Sequence, residues 1–300
     1  MTKVSNEVAI VVVTYNRKIL LKECIRALLN QDYDNYKILI IDNASSDGTK
    51  DYIKNELKEK KVYYENTGAN IGGAGGFNYG MKRAYELGCD YMWLMDDDCI
   101  VKKDSLKKLL EADKILNGNY GFLSSKVLWT DNTLCNMNKQ KFTKDFKKNK
   151  FLCEKGLLKT YYASFVSFFI KKEVVEEVGL PIKDFFIWGD DIEYSNRISK
   201  KYDNYMVDNS VVIHKTNSNV GSNIAIDNKE SLSRYNYAYR NECVVARENG
   251  IKGRARQFAK VNYNILKVLI KSKDVKLKRI KIIINSSIKG IRFKPEIEYL

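Results

Sequence analysis

The sequence predicts an α/β fold: a mostly parallel sheet covered by helices on both faces, followed by a basic helical appendage. Three observations predict it. Short apolar runs alternate with segments of helical periodicity, the pattern of strand–helix–strand units. Three of the first four runs end in polar or acidic residues (Thr14/Asn16, Asp42 and Asp96–Asp98), and such sheets bind ligands beyond the carboxyl ends of their strands. The charge is also lopsided. Of the formal +15, residues 250–300 carry +11, from 14 Lys/Arg against 3 Asp/Glu, which leaves about +4 for the first 249. Residues 1–228 are accordingly read as the sheet domain, and 229–300 as a helical, basic, membrane-associating region.

The elements follow in order. Val8–Val13 is an unbroken apolar run, read as a fully buried strand, and it ends in Thr14-Tyr15-Asn16-Arg17. Ile19, Leu20, Cys24, Ala27 and Leu28 then fall on one helical face. Tyr36–Ile41 is a second buried strand, closed by Asp42-Asn43-Ala44-Ser45-Ser46-Asp47-Gly48, with Ser46 or Asp47 as N-cap of the next helix. Val62–Tyr64 is a short strand, 66–76 a glycine-rich loop, and Phe77–Leu87 a helix. Tyr91–Met95 runs straight into Asp96-Asp97-Asp98. Beyond it come a helix (Ser105–Leu116), a strand (Gly121–Leu128) and a lysine-rich excursion (Thr130–Lys155). A strand (Tyr161–Ile170), a helix (Lys171–Val178), a helix opened by Gly189-Asp190-Asp191-Ile192-Glu193, and a strand (Val207–Ile213) ending at His214 complete the domain. From Lys229 the pattern is helical. Ile280, Ile283, Ile284, Ile288 and Ile291 line one face beside Lys278, Lys281 and Lys289, an amphipathic basic helix.

Composition excludes several classes. With 44% apolar residues, only two prolines and no internal repeat, the chain is neither disordered, collagenous nor a solenoid. Its six cysteines are scattered, with no close pair at metal-ligand spacing, and no secretory signal precedes them. They are expected to be reduced thiols of a cytoplasmic protein. A single histidine excludes most zinc sites and leaves one candidate base for Ser/His or Cys/His chemistry. No apolar run reaches the roughly 18 residues needed to span a bilayer.

Asp96-Asp97-Asp98 is the sharpest chemical signal. Three adjacent carboxylates repel one another, and stability alone gives no reason to place them at the end of an apolar strand. Alternation aims Asp96 and Asp98 at one point and turns Asp97 away, a disposition suited to a hard divalent cation, Mn²⁺ or Mg²⁺. A solvated acidic turn is the alternative. Asp190, Asp191 and Glu193 follow the aromatic run Phe185-Phe186-Ile187-Trp188. Acids in the first turn of a helix also serve as caps, but beside a first carboxylate cluster they are read as holding a general base. Asn70–Phe77 opens a helix with glycines that permit close approach to an anion, and matches neither a dinucleotide fingerprint nor a Walker loop. His214, at a strand end, is read as a further metal ligand rather than a structural histidine.

These motifs, in this order and over roughly residues 8–250, resemble family 2 glycosyltransferases of the GT-A fold. They look most like the galactofuranosyltransferase-like branch, with rhamnosyltransferases close by. The resemblance implies inverting transfer of a sugar from a nucleoside-diphosphate donor, with galactofuranose from UDP-galactofuranose favoured and rhamnose from dTDP-rhamnose the alternative. It implies that Asp42 holds the uracil, that Thr14, Asn16 and Arg17 hold the nucleotide, and that Asp96, Asp98 and His214 hold the metal. Asn70, Gly72, Gly73, Asp97 and Trp188 would complete the donor site. Asp191 would be the base, with Asp190 and Glu193 orienting it or holding acceptor hydroxyls. Gly189 stands where some relatives carry a bulkier residue, which leaves the acceptor open.

The expected acceptor is a glycan, lipid-linked and used in cell-surface polysaccharide synthesis. The expected location is the inner face of the cell membrane, with the basic tail on its anionic surface. A nucleic-acid-binding protein is the reading from another class, prompted by the charge and twenty tyrosines. It requires aromatics interleaved with Lys/Arg on one surface, whereas here they sit largely in apolar strands, so no nucleic-acid partner is expected. A nucleotidyltransferase is the third reading, and would release pyrophosphate rather than UDP.

Overall fold

The computed structural model describes residues 6–300. One sheet organises the chain. Its strands are β1 Val8–Thr14, β2 Tyr36–Asp42, β3 Val62–Asn66, β4 Tyr91–Asp96, β5 Cys99–Val101, β6 Phe122–Leu128, β7 Lys141–Phe142, β8 Leu157–Tyr162, β9 Phe168–Lys171 and β10 Asn204–His214. They lie in the order β3-β2-β1-β4-β9-β6-β10-β8-β7, with β5 paired to β10. The helices are α1 Lys18–Leu29, α2 Thr49–Asp51 (a single turn continued by a wider one, Tyr52–Leu57), α3 Gly72–Glu86, α4 Ser105–Ile115, α5 Lys150–Glu154, α6 Lys172–Val178, α7 Asp190–Ser199, α8 Tyr235–Glu248, α9 Gly250–Lys271 and α10 Lys276–Arg292.

The expected parallel sheet is only half realised. β3, β2, β1 and β4 are mutually parallel, but β9 runs antiparallel between β4 and β6, and β10 pairs antiparallel with β8 and β5. The single strand expected over Tyr161–Ile170 is broken. β8 and β9 belong to different parts of the sheet, separated by a buried crossing in which Ser167 Oγ accepts from Trp93 Nε1 at 2.8 Å.

β1 is buried along its whole length, because both faces are covered. Val8, Ile10 and Val12 pack with α1 and α4 through Leu21, Ile25, Leu28, Leu106 and Leu109, while Ala9, Val11 and Val13 pack with α3, α6 and α7. α3 begins five residues earlier than its apolar pattern suggests, inside the glycine run. The glycines are there for contact with the sheet. A Cβ on Gly76 would stand 2.5 Å from Val13 Cγ1, and one on Gly80 2.3 Å from Val11 Cγ1. Asp47 serves the starts of two helices: its Oδ2 accepts from Lys18 N of α1 at 2.8 Å and its Oδ1 from Thr49 N of α2 at 3.2 Å, while Gly48 takes the N-cap position of α2.

α8, α9 and α10 pack on one another around Tyr235, Tyr239, Val268 and Ile283, with Trp188 of the sheet domain against that cluster. Buried Arg279 ties the group together, donating to the carbonyls of Ile224 and Asp227 and pairing with Asp274 at 2.6 Å. The terminal residues return to the sheet domain, where Leu180 N donates to Glu298 O at 2.8 Å and Glu298 pairs with Lys82 and Lys183. The isoleucine stripe does not form one face. Ile280 and Ile283 turn inward, while Ile284, Ile288 and Ile291 are exposed.

Candidate functional site

The register of four strands gathers the acidic residues. Val13 pairs with Asp96 and Thr14 with Asp42, so β1, β2 and β4 end together. The chain then turns at Asp97-Asp98 into β5, which runs antiparallel to the end of β10 with Cys99 opposite His214. That pairing brings His214 Nε2 to 3.0 Å from Asp98 Oδ1. Arg17, at the start of α1, reaches both neighbouring acids, with Nη1 at 3.0 Å from Asp97 Oδ1 and Nη2 at 2.7 Å from Asp98 Oδ2. Thr14 Oγ1 donates to Asp97 Oδ2 at 2.7 Å. Asp97 is therefore turned away from Asp96 and towards β1.

Burial and charge separate the three carboxyls. Burial pushes Asp96 up to about 7, with repulsion from Asp98 adding to it. Burial likewise pushes Asp97 up to about 6, although Arg17 and Thr14 oppose it. Burial works against ionised Asp98 as well, but His214 and Arg17 beside it hold its carboxyl down to about 2. His214 responds in the opposite sense: burial disfavours the imidazolium, yet the adjoining Asp98 carboxylate and the Cys135 thiol hold it up at about 10.

The second acidic group is set by a strained loop. Phe186 and Trp188 adopt φ of +63° and +64°, and Gly189 +91°, before α7 begins at Asp190. Asn241, fully buried on α8, holds this loop: its Nδ2 lies 3.0, 3.2 and 2.7 Å from the carbonyls of Phe185, Ile187 and Trp188. From the other side, Ala74 N donates to Phe186 O at 3.1 Å. Gly72 is obligatory there, since its φ is +75° and a Cβ would lie 2.0 Å from that oxygen. Asp191 Oδ2 accepts from Tyr162 OH at 2.9 Å and its Oδ1 from Ile192 N at 2.7 Å. Burial raises the carboxyls of both Asp190 and Asp191, and for Asp190 the adjacent Asp191 adds to the shift.

A cleft of about 830 Å³ joins these groups. Among the residues singled out from sequence, Arg17, Gly73, Asp96, Asp98, Trp188, Gly189, Asp190, Asp191 and His214 line it. The others do not. Glu193 is fully buried in a pair with Arg197 at 2.7 Å, whose guanidinium also bonds the carbonyls of Val178 and Leu180. It braces α7 and faces away from the cleft. Asp42 is also fully buried, accepting from Ser45 N at 2.8 Å and Tyr64 OH at 2.7 Å. Asn16 and Asn70 shape turns by accepting from Ser46 N and Gly72 N. Thr14, Gly72 and Asp97 support the wall from behind. Of the glycine run, Gly73 is the one that both lines the cleft and leaves open space above its Cα.

Several site residues escaped sequence reasoning. Asn138, on a single turn within the lysine-rich excursion, accepts from His214 Nδ1 at 2.7 Å through Oδ1 and donates to Ser164 Oγ at 2.9 Å. Cys135 Sγ lies 3.9 Å from the same ring nitrogen. Tyr162 and Asn241 complete the set. Only the aromatic character of β8 hinted at Tyr162, and nothing local marked the two asparagines.

The donor set fits a divalent cation. Asp98 Oδ1 is buried and lacks hydrogen-bond geometry to any group among the described residues, although His214 Nε2 is 3.0 Å away. Two neighbouring ligands of an octahedral ion, each about 2.1 Å from it, stand about 3 Å apart. Asn138 Oδ1 can only accept, so Nδ1 carries a proton and Nε2 is the ring nitrogen that a bound cation would meet. The tight cluster of donors, all within 4.8 Å, comprises Asp98, Cys99 and His214, and Asp96 is not part of it. Asp96 lines the cleft alongside, while burial keeps the Cys99 thiol protonated, so the carboxylates are the better partners for a hard ion.

Comparison with known proteins places this geometry. Residues 9–179 match the family model described as glycosyl transferase family 2. Galactofuranosyltransferase GlfT1 of Mycolicibacterium smegmatis is 35% identical over 91 residues, covering 30% of either chain. The GalNAc(5)-diNAcBac-PP-undecaprenol beta-1,3-glucosyltransferase of Campylobacter jejuni is 25% identical over 172 residues, 57% of this chain and 53% of that one. The chain thus spans about half or less of the length of the curated relatives it matches. The crystal structure of GalNAc-T7 with UDP, GalNAc and Mn²⁺ superimposes with a TM-score of 0.58 at 16% identity, over 70% of this chain and 43% of that one, a likeness of fold.

Proposed function

The chain belongs to glycosyl transferase family 2, and from that premise we propose that it is an inverting, metal-dependent glycosyltransferase. The observation that carries the reading is the convergence of two carboxylate groups, Asp96/Asp98 with His214 and Asp190/Asp191, across one cleft. Asp96, Asp98 and His214 would hold Mn²⁺ or Mg²⁺, which when bound neutralises charge on a leaving diphosphate. Asp191, with Tyr162 fixing its carboxylate, takes the proton of an incoming sugar hydroxyl. The hydroxyl oxygen bonds to the anomeric carbon as the bond to the diphosphate oxygen breaks, and the diphosphate leaves with the electron pair. Attack comes from the face opposite the leaving group, so the anomeric centre inverts without a covalent enzyme intermediate. Asp190, beside the base, orients the acceptor.

The donor we favour is UDP-galactofuranose, supported by the match to the mycobacterial galactofuranosyltransferase over 91 residues. The dTDP-rhamnose alternative keeps the same machinery. A lipid-linked glycan acceptor is supported by the diphosphate-linked lipid in the name of the Campylobacter relative. We also propose that 1–228 is the transferase domain and that 229–300 docks it on an anionic leaflet. No helix among the described residues is long and apolar enough to cross a membrane. α10 nevertheless exposes Leu277, Ile284, Ile288 and Ile291 among Lys281, Lys289 and Arg292, the composition of an interfacial helix.

The test is a thermal-shift screen of the purified chain with UDP-galactofuranose, UDP-galactose, UDP-N-acetylglucosamine and dTDP-rhamnose, with and without Mn²⁺, followed by assay of the released nucleotide. Binding to the folded state raises the melting temperature, and the preferred donor should do so only with metal. No shift with any donor, or release of pyrophosphate instead of nucleoside diphosphate, would overturn the proposal.

A further inference from the structure

The C-terminal helices contribute part of the lining of the cleft, and that part carries more cations than carboxylates, Glu242 being its one acid. Arg234, just before α8, lines it together with Lys260, Asn264 and Lys267 of α9. The last three follow the i, i+4, i+7 spacing of one helical face, so their side chains form a row along the cleft. Lys260 pairs with Glu242 at 2.7 Å, and Gln257 holds the other oxygen of that carboxylate at 3.2 Å. Among the described residues, neither Arg234 nor Lys267 has a carboxylate within ion-pair distance.

The donor side does not claim these cations. A leaving diphosphate would be served by the cation site and by Arg17, which is paired with Asp98. The cations of Arg234 and α9 line the same cleft and are left for a second anion. The same helix exposes Tyr263, Leu266 and Ile270 beside the lysine row. An anionic group seated on Lys267 would have apolar surface next to it, open to the outside.

We propose that Arg234, Lys260 and Lys267 form a subsite for the phosphate groups of an amphiphilic, diphosphate-linked acceptor, whose hydrocarbon leaves the cleft over Tyr263, Leu266 and Ile270. This deepens the glycosyltransferase reading and rests on it. The glycan end of such an acceptor points from these cations towards Asp190 and Asp191, and its lipid end points towards the face that carries the exposed apolar residues of α9. The lysine row recognises the acceptor by its phosphate, independently of which sugar it carries.

The experiment uses the full chain and farnesyl diphosphate as probe, with farnesol as its phosphate-free counterpart, and UDP with Mn²⁺ as a separate measure of the donor side. Binding is followed calorimetrically in Arg234→Gln/Lys267→Gln, and in Lys107→Gln/Lys114→Gln, which removes the same charge from exposed positions on α4. The proposal expects farnesyl diphosphate to bind at least about tenfold tighter than farnesol and alongside saturating UDP. It expects the cleft variant to weaken farnesyl diphosphate binding by about tenfold or more, the scale of losing charged hydrogen bonds. The α4 variant should match the wild type, and UDP affinity should hold in both. Displacement of the probe by UDP, equal losses in the two variants, or no loss in the cleft variant would each overturn the subsite. Failure of the wild type to bind UDP with Mn²⁺ would instead overturn the transferase reading beneath it, and is read in its own arm.

Discussion

Asn241 is the residue whose removal tests the architecture of the site most directly. Its Nδ2 group has two N–H bonds to share among three carbonyls, those of Phe185, Ile187 and Trp188. Truncation to alanine leaves at least two of these acceptors without a donor in a buried place. Each unsatisfied acceptor costs about 1–3 kcal/mol, so Asn241→Ala should lose about 2–6 kcal/mol in all. For 300 residues that corresponds to a fall in melting temperature of about 3–10 °C.

The same carbonyls hold Phe186 and Trp188 at positive φ, a conformation costing about 1 kcal/mol or more at each and kept only while its surroundings insist on it. Relaxation would turn Gly189 and shift Asp190 and Asp191 relative to Asp98. A displacement of about 1 Å is enough to cost about 100-fold in turnover. The donor side hangs from β1, β4 and α1, so Mn²⁺-dependent UDP affinity should stay within about threefold of wild type, the usual independence of separate sites. Asn241→Asp is the sharper control: it keeps the shape but sets an acceptor-only carboxylate against three carbonyls, and should be at least as damaging as alanine. The assay is kcat and KM by nucleotide release, beside UDP titration and thermal melting. If Asn241→Asp keeps wild-type turnover, or if Asn241→Ala melts lower with kcat unchanged, the loop does not depend on the clamp and the reasoning fails.

The remaining predictions concern the base, the cation, the glycines and the tail. Burial raises the Asp191 carboxyl, and a base works only when deprotonated, so activity should fall as pH drops through a value above the ordinary 3.8. Tyr162→Phe removes a donor that favours the ionised form and should move this acid limb of the kcat profile to higher pH; a limb moving down would place the base elsewhere. Asp98→Ala should abolish Mn²⁺-dependent UDP binding, EDTA should abolish turnover, and full turnover in EDTA would remove the metal from the mechanism. Gly80→Ala should destabilise by about 1–3 kcal/mol through overpacking against Val11, whereas Gly73→Ala, with open space, should leave the melting temperature nearly unchanged. The full chain should co-sediment with anionic vesicles at 0.1 M salt and release at 1 M, as screening shortens from about 10 Å to about 3 Å. Ile288→Glu/Ile291→Glu should weaken that binding, and equal sedimentation with neutral vesicles would make α9 and α10 ordinary surface.

The parallel half of the fold was legible because its signal is local. Val8–Val13, Tyr36–Ile41 and Tyr91–Met95 are apolar runs long enough for a strand and too short for a helix, and each ends where its polar residues begin. The antiparallel half was not, since nothing within Phe168–Lys171 says that it inserts between β4 and β6. Pairing partners are set by the whole sheet. The glycine run misled for a different reason. A glycine beside a ligand and a glycine beside a strand look alike in sequence, and here Gly76 and Gly80 were needed by Val13 and Val11. Glu193 misled in the same way: its position in the acidic motif suggested chemistry, while its place on α7, four residues before Arg197, gave it a structural partner.

The site divides along the same line. Asp96, Asp98 and His214 stood out together because polar residues at the ends of apolar strands have no part in the apolar packing and so break the pattern. The residues that make them usable lie elsewhere in the chain and pack like anything else. Asn138 sets the tautomer of His214 from 76 residues away, and Asn241 fixes the loop before Asp190 from a helix of the C-terminal region. That region also contributes to the lining of the cleft, through Arg234, Glu242, Lys260 and Lys267 among others. Its basic charge is visible in sequence but reads there as surface, since only packing shows that part of it turns inward. A cleft lined from both the sheet and the helices cannot be complete in either segment alone. Loss of α9 should therefore remove one side of the site as well as the exposed apolar face.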